Sequence, residues 1–249
     1  MSVRHELADG VLTITLDRPD KLNAMTDPMW STLRDLLDTA SGGEVRVVVV
    51  TGAGGAFCAG SDVGGLLGHP ELLPERMRMS NACILALREL GVPTIASVDG
   101  VAAGAGANLA LACDFVIASD RSRFLQLFIR RGLSLDSGAS WLLPRLVGHR
   151  RALELALLGD EVGADEAQAW GLVNRVVARA ELAGATTALA TRLTSASPMA
   201  LAGTKRLLEN AWQQTLAEAL EAEIANQVAV IASPEADAAI GAFNRPNDK

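Results

Sequence analysis

Two glycine-rich stretches and one aspartate carry the residue types from which chemistry could be built. The first stretch, GVAAGAGANLALACD, runs from Gly100 to Asp114 and holds almost no polar side chain. Asp99-Gly100 signals a turn, Gly104 and Gly106 flank Ala105, and ANLALAC propagates a helix. A glycine-rich turn feeding a helix leaves N–H groups without helical partners and lets a ligand approach the main chain closely. Taken alone this is a weak motif, and tight helix–sheet packing in the core is the better reading of it. The second stretch, TGAGGAFCAGSDVGGL from Thr51 to Leu66, also follows a strand-like run. Its Phe57, Cys58 and Ala59 suit a half-buried wall better than a loop tip, and Gly60-Ser61-Asp62 precedes a candidate helix start. Neither stretch is a GxGxxG with a downstream acid or a phosphate loop, so dinucleotide and nucleoside-triphosphate sites are excluded. One N–H from each loop, converging on a single oxygen, would form an oxyanion hole from main chain alone.

Asp136, in GLSLDSGASWLLPR, is the third feature. It follows an apolar approach and precedes a helical run. From the residues alone, an aspartate there reads first as a helix N-cap, a common position for Asp before a helix. Leu133, Leu135 and Phe128 would make its surroundings apolar and raise its pKa. Arg76 and Arg78 read as a solvated helix face, with phosphate contact as the alternative.

The elements that must position these groups follow from periodicity. GVLTITLDRP reads as a strand ending at Pro19, and VRVVVVTG as a strand buried on both faces. DPMWSTLRDLLDTA has Asp27 as the expected cap and Pro28 at the first helical position. PERMRMSNACILALREL is helical, VPTIASVDG and CDFVIASD are short strands, and only helices are expected from Glu181 to Ala242. The pattern is an α/β core followed by helices.

The chain has 249 residues and a net charge of −7, with acids and bases interspersed. That balance and the lack of a basic–aromatic stripe argue against a nucleic-acid surface. Cys58, Cys83 and Cys113 are scattered and form no CxxC pair, so neither a disulfide framework nor a zinc site is expected. No signal h-region or membrane-length apolar run stands out, so the expected place is the cytoplasm, with no membrane partner.

Six segments together carry a family resemblance: LDRPDKLNAM, VVVVTGAGGAFCAGSDV, PTIASVDGVAAGAGANLALACDFVIAS, RRGLSLDSGASWLLPRLVG, ALLGDEVGADEAQAWGLVNRVV and AAIGAFNRP. In order and across almost the whole chain, they resemble the crotonase, or enoyl-CoA hydratase/isomerase, superfamily. The nearest motifs are those of the branch that includes ring-1,2-epoxyphenylacetyl-CoA isomerase and enoyl-CoA isomerases. The resemblance implies a crotonase-like spiral of ββα units over residues 1–195 with an acyl-CoA site. It also implies a C-terminal helical trimerisation region over 196–249, and a homotrimer or dimer of trimers. The substrate would be an acyl-CoA thioester, with no separate cofactor and no metal. Ser61 and Ala105 would supply the oxyanion N–H groups, and Gly60 would line the site with them. The Ala59 carbonyl would meet the CoA adenine, and Lys21, Leu22 and Ala24 would lie along the CoA. Arg245 is a weaker CoA candidate.

The resemblance also points to a departure. The two hydratase glutamates fall at Asn108 and at or near Phe128, so both carboxylates are replaced; Asn108 is retained as a substrate-binding candidate. Asp136 matches the catalytic aspartate of the isomerase branch. The expected activity is therefore double-bond isomerisation with one aspartate as acid and base. Hydration is the alternative, with acids sought on the segment Leu66 to Arg78. A silent acyl-CoA binder is a minor one. 4-Chlorobenzoyl-CoA dehalogenase resembles the chain at the same aspartate, but its chemistry also needs a nearby His and Trp. Here Trp141 reads as core, and His5, His69 and His149 have no evident place at the site.

Overall fold

A computed structural model describes residues 3–64 and 69–243. Arg245, Leu66 and the end of AAIGAFNRP lie outside the described residues. The fold is mixed α/β. Strands Val3–Ala8 (β1), Val11–Leu16 (β2), Val47–Gly52 (β3), Thr94–Val98 (β4), Phe115–Ser119 (β6) and Arg175–Val177 (β9) form one sheet in the order β1-β2-β3-β4-β6-β9. The β1–β2 pair is an antiparallel hairpin, and the other pairings are parallel. A second sheet joins Val101–Ala103 (β5), Arg123–Leu125 (β7) and Val162–Gly163 (β8) in the order β5-β7-β8.

The described helices are Asp27–Thr39 (α1), Leu73–Glu89 (α2), Ala105–Leu111 (α3), Ala139–Leu158 (α4), Ala164–Trp170 (α5), Leu182–Thr194 (α6), Pro198–Asn210 (α7), Leu216–Ile231 (α8) and Pro234–Phe243 (α9). Strand β3 is buried on both faces, as its valine run predicts. Val48 and Val50 join the main core with Met29, Trp30, Leu33 and Leu37 of α1. Val47 and Val49 face a second core containing Leu182 and Ala190 of α6. Each large side chain so buried contributes about 1.5–3 kcal/mol relative to exposure.

Three local readings are corrected. Thr26, not Asp27, is the N-cap of α1, and Asp27 is its first residue. A strand, β5, lies inside the first glycine-rich stretch, too short to show a period. No described helix follows Gly60-Ser61-Asp62 directly; a short 3-10 turn, Pro70–Leu72, leads instead into α2.

Helix α7 is fastened to the core by charged side chains. Lys205 Nζ donates to Asp114 at 2.8 Å and to the Leu87 carbonyl at 3.1 Å, and Arg88 pairs with Glu209. Helix α8 instead turns Leu216, Leu220, Ile224, Val228 and Ile231 outward, an apolar row at close to helical repeat. No described helix is long and apolar enough to cross a membrane.

Candidate active site

The second glycine-rich stretch is stitched by main chain to two neighbours. On one side Phe57 N–H and Cys58 N–H both donate to the Val101 carbonyl at 3.0 Å, and Ala103 N–H donates to Cys58 at 2.9 Å. On the other side Ala59 N–H donates to Leu22 at 2.9 Å, Met25 N–H to Gly60 at 2.8 Å and Asp62 N–H to Met25 at 2.7 Å. This holds residues 57–62 between the edge of β5 and the segment 22–25.

The approach requires missing side chains. Gly60 has φ of 101°, and a Cβ there would sit 2.9 Å from the Ala103 carbonyl and 3.6 Å from Ala105 N. A Cβ on Gly106 would lie 2.4 Å from the Cys58 carbonyl. Ser61 and Ala105 therefore come to one cavity. Neither N–H donates a hydrogen bond to any described residue, although buried N–H groups are nearly always paired.

That cavity, about 170 Å³, is lined by Ala59, Gly60, Ser61, Gly104, Ala105 and Asp136, with Trp30, Met77, Phe128, Leu133 and Leu135 among its apolar walls. The structure thus brings five of the expected site residues together: Asp136, Ser61, Ala105, Ala59 and Gly60. Its other two lining carboxylates are engaged. Asp62 lies 2.6 Å from Arg18, and the Gly64 N–H and Arg18 hold its carboxyl below the ordinary range. Asp27 pairs with Arg76 at 2.9 Å. Arg76, read as a solvated helix face, is thus a strut that also donates to the Asp62 carbonyl.

Asp136 is different. Its Oδ1 is buried and has no hydrogen-bond partner among the described residues. Burial pushes its carboxyl above the ordinary value; the adjacent Ser137 hydroxyl opposes the shift but makes no hydrogen bond. An unpaired buried acceptor costs about 1–3 kcal/mol. The cap reading of Asp136 is overturned, because α4 begins at Ala139 with Gly138 as its N-cap. Ser137 and Gly138, with φ of 49° and 80°, form the turn between them.

Asn108 is not on the cavity wall. It is fully buried, and its Nδ2 donates to the Asp136 carbonyl at 3.0 Å while its Oδ1 accepts from Gln126 at 2.9 Å. Its amide is engaged inside the protein. Lys21, Leu22 and Ala24 are also off this cavity. Lys21 is exposed at the end of a 3-10 turn, Leu22 is half exposed, and Ala24 accepts from Arg18 through its carbonyl at 3.1 Å. Through Leu22 the segment is tied to Ala59, whose carbonyl accepts from no described residue.

Sequence reasoning missed Gln126 and Asn23. Gln126 is a lone amide in the apolar run FLQLF, which is the signal that could have found it. Asn23 is fully buried with φ of 57°, donates to Ala53 and Ala56, and shapes the 22–25 segment. His5 and His149 are exposed, and His69 pairs with Glu71 at the surface. Trp141 lines a neighbouring hollow of about 960 Å³ that shares Met77, Leu135 and Asp136 with the cavity; Arg145 lies 4.0 Å over its ring. The three cysteines are free and buried, with thiols pushed up to about 12 mainly by burial.

The enoyl-CoA hydratase/isomerase family model matches residues 6–245. The chain is an enzyme of that family. It is 39% identical to 1,2-epoxyphenylacetyl-CoA isomerase of Escherichia coli K12 over 86% of this chain and 84% of the relative. It is 35% identical to 4-chlorobenzoyl coenzyme A dehalogenase-1 of an Arthrobacter species over 94% of this chain and 86% of the relative. The solved structure of a putative enoyl-CoA hydratase from Streptomyces coelicolor A3(2) superposes with a TM-score of 0.94 at 41% identity, covering 99% of this chain and 93% of that one. The crotonase fold is therefore shared by relatives named for three different reactions.

The Asp136 environment makes a stability prediction. A carboxyl whose folded pKa is raised adds stability below its unfolded pKa and loses it as pH rises through the folded value. Asp136→Asn, which removes the buried charge, should therefore raise the melting temperature at neutral pH. The gain should shrink as pH falls toward the ordinary aspartate range. Thermal unfolding followed across pH reads this directly, and a gain that grows toward acid pH would contradict the assigned shift.

Proposed function

We propose that this enzyme acts on acyl-CoA thioesters and moves a carbon–carbon double bond, with Asp136 as its acid and base. The observation that carries the reading is the state of the cavity carboxylates: Asp27 and Asp62 are paired with arginines, and Asp136 is not. A free carboxylate of raised pKa suits proton transfer near neutral pH. In a 3-enoyl thioester, Asp136 takes a proton from C2, and charge moves to the thioester oxygen. Ser61 and Ala105 N–H donate to that oxyanion. The enolate then collapses, the proton returns from Asp136 to C4, and the double bond passes from C3–C4 to C2–C3. Nothing is added or lost. The Ala59 carbonyl is assigned to the adenine amino group, and Lys21, Leu22 and Ala24 to the flank of the CoA. CoA enters as part of the substrate, and the place of action is the cytoplasm.

Hydration would need a second carboxylate. Asn108 and Phe128 cannot move a proton, and Glu71 and Glu75 are exposed on the segment where acids were sought. Nucleophilic dehalogenation lacks a histidine on the described cavity wall. These observations favour isomerisation, and a silent binder would not keep an unpaired buried carboxylate at a cost in stability.

The same reading gives the chain a spiral of ββα units and makes residues 196–249 a trimerisation region, with the outward row of α8 as the apolar face that would be covered. Light scattering should return three or six times the chain mass, and Leu220→Glu with Ile224→Glu should lower it. A monomeric wild type would sink this part of the proposal.

Asp136→Asn should abolish conversion of 3-enoyl- to 2-enoyl-CoA while CoA-ester binding persists, because the amide keeps the shape but cannot take the proton. The wild type should exchange C2 or C4 protons with deuterated water, and the variant should not. Near-normal turnover by the variant, or efficient gain of water from 2-enoyl-CoA by the wild type, would refute isomerisation by Asp136.

The backbone donors give a separate comparison. Ala105 is the first residue of α3, a position that tolerates proline. Ala105→Pro should therefore remove one N–H with the helix intact and lower kcat by about a hundredfold or more. Ser61→Ala keeps its N–H and should be mild; equal damage from the two would mean that the serine hydroxyl matters.

A further inference from the structure

We infer that Asn108 and Gln126 form a positioning relay that aims Asp136, so that one short helix sets both the oxyanion donor and the acid. This rests on the proposed role of Asp136 and deepens it. Helix α3 begins at Ala105, and Asn108 lies three residues on, with its own N–H donating to Gly104 at 3.0 Å. The Asn108 side chain reaches across to the Asp136 carbonyl at 3.0 Å.

The direction of this relay is forced. The Asp136 carbonyl can only accept, so Asn108 must present its NH2 there. Its Oδ1 then faces the other way and accepts from Gln126 Nε2 at 2.9 Å. Reversing the Gln126 amide would set two oxygens against each other. Gln126 therefore keeps its Oε1 buried and without a partner among the described residues. A stability cost is accepted to keep the Asn108 amide pointing one way.

The segment being held needs holding. Residues Leu133–Asp136 lie between a 3-10 turn and α4 without regular structure of their own. Ser137 follows with a φ of 49°, a left-handed conformation that a non-glycine residue adopts at a cost. The Asp136 carbonyl is held from two sides, by Ala139 N–H at 3.1 Å and by the Asn108 amide. Without the second bond, the turn that carries the carboxyl loses its tie to α3. Asn108 and Gln126 touch no substrate in this assignment; they act through Asp136.

The test is a set of variants assayed in the full-length enzyme with a 3-enoyl-CoA. Asn108→Leu removes the donor without adding charge, and Asn108→Asp keeps the shape and the Gln126 contact but loses the donor. Both should lower kcat on the order of tenfold to a hundredfold, the scale of a misaligned catalytic group, with KM and CoA-ester binding unchanged. Gln126→Leu should lower kcat less. The Asn108→Leu/Gln126→Leu double variant should fall no further than Asn108→Leu, because Gln126 acts only through Asn108. Unchanged kcat in a folded Asn108 variant, losses that multiply in the double, or loss of KM and kcat together would overturn the relay. Failure of both Asn108 variants to fold would make the pair a structural strut and overturn it as well. If Asp136→Asn retains turnover, the role of Asp136 itself has failed, which the Asn108 results cannot mimic.

Discussion

Everything at the cavity depends on two main-chain segments lying against each other without side chains between them. Residues 57–62 are hydrogen-bonded to β5 on one side and to residues 22–25 on the other. Gly60 and Gly106 make that contact possible, because a Cβ at either would meet a carbonyl oxygen at 2.9 or 2.4 Å. The N–H groups of Phe57, Cys58, Ala59, Asp62 and Ala103 are used in this stitching. Those of Ser61 and Ala105, on the wall of one cavity, donate to no described residue. A donor that cannot relax toward a protein partner stays available to a ligand oxygen, and its alignment is prepared before any ligand arrives.

The electrostatics follow from how the remaining carboxylates are disposed of. Asp62 and Asp27 could compete with Asp136 for a role, but Arg18 and Arg76 hold them, and Gly64 N–H adds to the hold on Asp62. These pairs also tie α1 and the start of α2 to the loop that carries Ser61. Asp136 forms no ion pair with a described cation; Phe128, Leu133 and Leu135 are among the walls of the cavity it shares with Arg76 and Arg131. The same apolar walls that shape the cavity disfavour the charged form of its one unpaired carboxyl.

Helix α3 links the two halves of this arrangement. It contributes Ala105 at its start, packs Leu109 into the main core, and carries Asn108 toward the Asp136 turn. Relatives named as hydratase, isomerase and dehalogenase share the fold. In this chain Asn108, which the family resemblance places at a hydratase carboxylate position, donates to backbone at the Asp136 carbonyl.

Much of this protein was legible in its residues. The valine run of β3 announces a strand buried on both faces, because a buried parallel strand has no polar side to alternate with. The glycine pairs announce backbone approach, and the spread of family segments announces the fold. Asp136 could be singled out, but its two readings, cap or base, could not be separated by residue type. Only the tertiary structure removes the cap reading, by placing Gly138 at the cap; it also sets the Asp136 carboxyl on the wall of a largely apolar cavity. The same holds for Asn108, Gln126 and Arg76. Sequence determines which hydrogen-bonding groups a chain carries, and local pattern places them on elements. Which partner each group finds is settled by residues distant in the chain: Gln126 meets Asn108 across 18 positions, Asn108 meets Asp136 across 28, and Arg76 meets Asp27 across 49. Those pairings arise only when the sheets and helices pack, because burial is what makes an unpaired polar group costly enough to dictate its neighbour.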